Sequence, residues 1–213
     1  MARINSQQTL YHTDILLKNV PQEAFLTMLH DADIRDSLCL FLEEKYGKVR
    51  FFDELRIGNS RADMVMVTEH DLIGIEIKSD ADSYTRLPTQ IRDYDAYCDA
   101  SILVIGSSHA AHAAEHVPEQ WGILTVNREG DGLDFYELRQ PTHTGKTKLR
   151  AQLRLLWRRE LAHIQAKNGL YKYKGKRRAF IEKYLLDSVD SEALKVCLID
   201  ELFERDYSVF EEP

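Results

Sequence analysis

Three strand-like runs joined by short polar turns constrain this chain more than any other feature. Val49 to Ile57 is followed by the turn signal Gly58-Asn59-Ser60, Arg61 to Val67 by Thr68-Glu69-His70-Asp71, and Leu72 to Lys78 completes the set. Connections this short cannot supply the long crossover that a parallel neighbour needs, so the runs are expected to form an antiparallel meander. Ahead of them, Asp31 to Tyr46 places Ile34, Leu38, Phe41 and Leu42 at helical spacing and stops at Gly47. Behind them, Thr85 to Cys98 reads as a helix interrupted near its start by Pro88. Ser101 to Gly106 carries the continuous apolar run of a strand buried on both faces. A short Ala/His-rich helix, a strand from Trp121 to Val126 and an edge strand from Leu133 to Leu138 follow. This order predicts an α/β fold with a mixed sheet flanked by helices, its later strands reached by helical crossovers.

Beyond Lys146 the pattern is helical. Leu149 to Lys167 puts Leu149, Leu153, Leu156, Trp157 and Leu161 on one stripe and Arg150, Arg154 and Arg158 on another. Two further helices are expected around Arg178–Leu186 and Ser191–Glu204. The expected division is an α/β core over residues 1–145 and a C-terminal helical extension over 146–213, packed on the core.

Charge follows the same division. The net charge of −7 argues at first against a nucleic-acid partner, yet Lys146 to Lys183 holds thirteen Lys/Arg against Glu160 and Glu182, a local +11. Residues 184–213 carry a local −7, which leaves −11 on residues 1–145. A basic segment inside an acidic chain can supply sequence-independent attraction to phosphates; it can equally be a solvated face, or a seat for the acidic last segment. No apolar run approaches the ~18–20 residues of a membrane helix, and Met1-Ala2-Arg3-Ile4-Asn5 does not begin a signal peptide. Cys39, Cys98 and Cys197 are widely spaced and odd in number, as expected of reduced thiols in a cytoplasmic protein.

Chemistry concentrates in Glu54-x8-Asp63-x12-Glu76-Ile77-Lys78. Glu76 and Lys78, two apart in a strand, leave the same face. A turn near Thr68–Asp71 makes residues whose numbers sum to about 139 face each other, which sets Asp63 opposite Glu76. Strands reading Met64-Val65-Met66-Val67 and Leu72-Ile73-Gly74-Ile75 rarely hold such groups, because a buried unpaired charge costs several kcal/mol. Two facing carboxylates repel unless a cation compensates. Mg²⁺ suits one or two carboxylates completed by waters and phosphate oxygens, and a nearby lysine can then act on the attacking water and stabilise phosphate charge. Such a site would hydrolyse phosphodiesters. The plain structural alternative is a surface hairpin with a cross-strand Glu–Lys pair and a solvated aspartate.

Asp63 followed by Glu76-x-Lys78, on two antiparallel strands after an N-terminal helix, resembles the PD-(D/E)XK nuclease superfamily. Gln90-Ile91-Arg92-Asp93-Tyr94 is similar to the QxxxY helix motif of its RecB-like branch. The resemblance implies a restriction-endonuclease-like fold, catalysis by Asp63, Glu76 and Lys78, and Mg²⁺ or Mn²⁺ on Asp63 and Glu76. Glu54 matches a position that adds a metal-facing carboxylate in some branches. Gln90 and Tyr94, one helical turn apart, would position the site or touch nucleic acid. Arg61-Ala62-Asp63, Gly74 to Asp80, Arg86-Leu87-Pro88-x-Gln90 and Trp121-Gly122 are similar in turn to a small bacterial group in this superfamily, known by an sce-type locus label, over roughly residues 30–165. Arg61 and Arg86 belong to these motifs and are assigned the same positioning or contact role. Ala62 stands where the superfamily name puts proline.

Three other signals carry less. Thr144-Gly145-Lys146-Thr147 ends like a phosphate-binding loop, but Gln140 occupies the place of its first glycine. His109, His112 and His116 have helical spacing without a fourth ligand. Lys172 to Arg178 interleaves base and aromatic, so Lys172, Lys174, Lys176, Arg177 and Arg178 are expected to meet a DNA backbone or to form a basic interhelical loop. The expected function is DNA phosphodiester hydrolysis, in repair or in defence against phage or mobile elements, with a homodimer or a separate helicase chain open as partners. The alternatives are a nuclease-fold protein that binds nucleic acid or a partner without cutting, and an enzyme acting on RNA or a small nucleotide.

Overall fold

The computed structural model describes residues 31–78, 84–106, 110, 112–130 and 132–207. Helix α1, Asp31–Tyr46, ends where Gly47 takes a left-handed conformation (φ +75°) and its N–H returns to the Glu43 carbonyl at 2.9 Å. The strands are β1 (Arg50–Asp53), β2 (Arg56–Ile57), β3 (Ser60–Arg61), β4 (Met64–Val67) and β5 (Leu72–Lys78). A 3₁₀ turn, Tyr84–Arg86, leads into α2 (Leu87–Tyr97); then come β6 (Ala100–Gly106), α3 (Ala113–His116), β7 (Gly122–Glu129) and β8 (Gly132–Arg139).

Among the described residues, six strands form one mixed sheet in the order β1-β4-β5-β6-β7-β8. The pairs β1/β4, β4/β5 and β7/β8 are antiparallel, whereas β5/β6 and β6/β7 are parallel and are bridged by the segments carrying α2 and α3. The two faces have different covers. Ile73, Ile75 and Ile77 of β5 join Met64, Met66, Ile102 and Val104 beneath Ile34, Leu38 and Leu42 of α1. The opposite face, with Val65, Leu103, Ile105 and Ile123, packs against Leu87 and Tyr94 of α2 and against the C-terminal helices. Strict alternation along β5 therefore sends its odd residues to α1 and its even residues, Gly74, Glu76 and Lys78, toward α2.

The meander expected from Val49 to Lys78 forms, but it is bent. Glu54 adopts φ +54°, the one non-glycine with positive φ among the described residues, and the first strand breaks there. Beyond the break β2 and β3 pair only with each other, as a short ribbon whose Gly58-Asn59-Ser60 turn is held by Asp93 of α2. Bonds from Glu54 N–H to the Asp63 carbonyl (3.1 Å) and from Ala62 N–H to the Leu55 carbonyl (2.9 Å) carry the pairing through the bend. Pro88 does not interrupt its helix: it sits in the first turn of α2, where a missing N–H leaves no bond unmade.

The long helix expected from Leu149 to Lys167 is two helices, α4 (Leu149–Leu153) and α5 (Arg158–Lys167). The break is stabilised by Glu160, whose Oε2 accepts the Trp157 N–H at 2.6 Å and so caps the start of α5. Helices α6 (Arg178–Ser188) and α7 (Ser191–Phe203) complete the extension. The acidic end folds back on the basic segment: Asp200 pairs with Lys167 (2.6 Å), and Arg205 reaches the buried Glu160 (2.7 Å). Among the described residues no helix is long and apolar enough to cross a membrane. The His109 position lies outside the described residues, as do Ser79 and Asp80; His112 pairs with Glu115 and His116 stacks on Tyr84.

Candidate active site

The β4/β5 ladder pairs Met64 with Ile75 and Val67 with Leu72, so the register that sets Asp63 opposite Glu76 holds at the end of the ladder. There the Ile77 N–H donates to Asp63 Oδ2 at 2.8 Å. Glu76 is fully buried and Lys78 is 7% exposed. Lys78 Nζ and Gln90 Nε2 both donate to Glu76 Oε1. The Tyr94 hydroxyl accepts the Asp63 N–H (3.3 Å) and shares its own proton between the Ile75 carbonyl and Glu76 Oε2, each 2.9 Å away. Burial, and then the charges of Glu76 and Asp63, hold the Tyr94 hydroxyl well above its usual pKa, which keeps it a donor.

Local sequence accounts for this convergence. Alternation along β5 aligns Glu76 with Lys78, and the i,i+4 spacing on α2 aligns Gln90 with Tyr94. Gly74 makes room for the Tyr94 ring: a Cβ there would lie 2.3 Å from Tyr94 Cδ1. Sequence reasoning missed this role of Gly74 and two further contributors. Arg35 of α1 donates to the Asp63 carbonyl (2.7 Å) and pairs with Asp53 and Glu54, each at 3.3 Å. Asp93, buried, accepts the Asn59 N–H (3.1 Å) and the Ser60 hydroxyl (2.7 Å), fixing the ribbon that carries Arg61. A lone glycine inside an apolar strand is the one local signal that could have flagged Gly74; nothing near Arg35 marks it.

The other expected site residues are placed differently. Glu54 has its two carboxylate oxygens on Arg35 and Arg61, and its side chain is half-exposed. Arg61 is exposed and engaged with Glu54; Arg86, also exposed, ends the 3₁₀ turn before α2. Lys172, Lys174, Lys176 and Arg177 are exposed between α5 and α6. Arg178 is partly buried, with Glu182 Oε1 at 2.6 Å and the Leu153 carbonyl at 2.8 Å.

Among the described residues no three His, Cys, Asp or Glu side chains form a ready metal cage. The oxygen donors at the strand end are the carboxylates of Asp63 and Glu76 and the buried Gln90 Oε1, which has no hydrogen-bond partner. Hard oxygen donors, few from protein, are what Mg²⁺ accepts when waters complete its shell; the set fits such a cation.

The chain is similar to two solved structures. The SPO1766 protein of unknown function from Silicibacter pomeroyi is 16% identical, with 55% of this chain and 75% of that chain covered and a TM-score of 0.43. SfsA from Pyrococcus furiosus, solved in complex with Ca²⁺, is 14% identical, with 54% and 62% covered and a TM-score of 0.33. No curated protein matches the chain. The model of the family described as Bacteriophage P4 protein cII matches residues 27–210, across both the sheet and the C-terminal helices, and the chain belongs to that family.

Proposed function

We propose that this protein is a metal-dependent nuclease of the PD-(D/E)XK type, its sheet a restriction-endonuclease-like arrangement, hydrolysing DNA phosphodiester bonds at Asp63, Glu76 and Lys78. The observation that carries this reading is the buried Glu76–Lys78 pair on one face of β5, with Asp63 across the register. A buried ion pair is a poor source of stability, because desolvation offsets its attraction. Its presence in a strand otherwise built of Leu, Ile and Gly favours chemistry. Mg²⁺ or Mn²⁺ held by Asp63 and Glu76 would polarise the scissile phosphate and acidify a bound water. Gln90 and Tyr94 fix the Glu76 carboxylate, the Ile77 N–H fixes Asp63, and Lys78 Nζ stands ready to move a proton at the attacking water or to donate to a phosphate oxygen. The setting proposed is the cytoplasm, in repair or in defence against phage or mobile elements.

One observation favours a second reading, a protein of this fold that binds nucleic acid or a partner without cutting: both Glu76 oxygens already hold donors, with which a cation would compete. The deciding experiment is cleavage of supercoiled plasmid, linear single- and double-stranded DNA and RNA with Mg²⁺, Mn²⁺ or EDTA. The nuclease reading expects metal-dependent cutting that falls at least a hundredfold in Lys78→Ala, the scale of a lost acid–base group. A folded protein that cuts nothing, or a variant that cuts as well as the parent, overturns it.

A further inference from the structure

The segment between α5 and α6 builds a surface that the strand-end site does not use. Four rings form an edge-to-face array centred on Tyr173, with Tyr171 at 4.8 Å, Phe180 at 5.1 Å and Tyr184 at 5.2 Å between centroids. Tyr173 packs against the main core, whereas Tyr171 is 70% exposed and Phe180 41% exposed. The backbone beneath is held from the protein side. Buried Gln165 donates to the Tyr171 carbonyl (2.8 Å), and Arg158 donates to the carbonyls of Lys174 (3.1 Å) and Lys176 (2.7 Å). With its carbonyls so engaged, the segment turns Lys172, Lys174 and Arg177 to solvent, while exposed Lys176 sets its ammonium over the Phe180 ring, 5.3 Å from the centroid. Between Glu160 and Glu182 the sequence itself offers these cations no acidic partner.

An interhelical loop needs none of this. Exposing a large ring loses hydrophobic stabilisation, and four neighbouring cations repel one another. Both features become favourable against a ligand that offers flat apolar faces and a string of negative charges. Unpaired nucleotides offer both: any base has a face that stacks on an aromatic ring, and phosphates follow at the backbone repeat. In a duplex the base faces are already stacked on each other, so only the phosphates remain available.

We infer that Tyr171–Arg177 is a platform for single-stranded nucleic acid, on which Tyr171 stacks an unpaired base while Lys172, Lys174 and Arg177 meet its phosphates. It shares with the nuclease reading the premise that the chain meets nucleic acid, and it does not depend on catalysis. The test is fluorescence anisotropy of the whole chain in EDTA, where cutting is suppressed, with a labelled dT20, a U20 and a 20-base-pair duplex. The platform expects either single strand to bind more tightly than the duplex. Tyr171→Ala should weaken single-strand binding roughly tenfold, within the range of one lost base–aromatic stack, and leave duplex binding unchanged. Tyr171→Phe, which keeps the ring, should bind as the parent does. The double variant Lys172→Ala/Lys174→Ala should lower the salt slope for single strands by about 1.4, at about 0.7 per phosphate contact. Tyr171 is exposed, so its removal should leave the thermal midpoint in place. Equal binding of duplex and single strand, an unaffected Tyr171→Ala, or no binding by the folded chain each overturns the proposal, whether or not the protein cuts DNA.

Discussion

At Gly74 an added Cβ would lie 2.3 Å from Tyr94 Cδ1, 2.6 Å from Tyr94 Cε1 and 2.8 Å from Cys98 Sγ. The ring cannot retreat. Behind it stands Trp121, 5.3 Å between centroids, itself pinned by a 3.0 Å bond from Nε1 to the buried Asp95. In front, the Tyr94 hydroxyl ties Asp63, Ile75 and Glu76 together. Gly74→Ala is therefore expected to destabilise the protein by about 1–3 kcal/mol, the usual range for overpacking a filled core, as a lower urea midpoint with an unchanged m-value. An unchanged midpoint would mean that Tyr94 is free to move, contrary to the packing just described. Residue-scale partners also explain Lys146, which resembles a phosphate-loop lysine in sequence. Its ammonium lies 2.9 Å from Asp95 Oδ2, and Thr147 donates to the Cys98 carbonyl at 2.8 Å. That loop therefore clamps α2 from outside.

At the scale of elements, the start of α5 depends on a residue 45 positions away. Glu160 is 2% exposed and caps the helix through the Trp157 N–H, and Arg205 compensates its charge through Nε (2.8 Å) and Nη2 (2.7 Å). Arg205 also donates to the Leu155 carbonyl at 2.8 Å and lies over the Trp157 ring, so it holds the α4–α5 junction together. Arg205→Ala leaves a buried carboxylate without its cation, and the expected loss is about 3–5 kcal/mol, measured by chemical denaturation. A loss below 1 kcal/mol would show that water or another cation replaces the guanidinium. The pair accounts for the helix break that periodicity alone did not reveal: the leucine stripe runs through Leu153, Leu156 and Leu161, but the backbone stops and restarts to bury Glu160.

Over the whole molecule, the basic and acidic stretches that divide the C-terminal third meet at α5 and α7, where Lys167 pairs with Asp200, and the extension shares a core with the sheet. Leu153, Leu161, Leu185 and Leu198 belong to the same buried cluster as Val65, Tyr94 and Trp121. Asp99, at the foot of β6, gathers the Leu72 N–H, the Gln152 amide and the Lys195 ammonium, joining strand, α4 and α7 at one carboxylate. Elements that share buried surface in this way unfold together. Calorimetry should show one transition with equal calorimetric and van't Hoff enthalpies, and Lys195→Ala should move that transition down without splitting it. Two transitions in the parent chain would mean that the extension folds by itself.

What can be read from the chain alone is whatever repeats with the local period of its backbone. Short polar turns set the antiparallel meander, and the apolar run from Ile102 to Ile105 marked a strand buried on both faces. The turn position gave the Asp63–Glu76 register, the two-residue spacing put Glu76 and Lys78 on one face of β5, and the four-residue spacing put Gln90 and Tyr94 on one face of α2. Contacts between residues far apart in sequence decided the rest. The left-handed Glu54 turns the ribbon out of the sheet, and Arg35 and Arg61 take the carboxylate that spacing alone had offered to a metal. Arg205 and Glu160 set the break between α4 and α5. Ion pairs and caps of this kind have no period; they exist only once the fold has brought their two ends together.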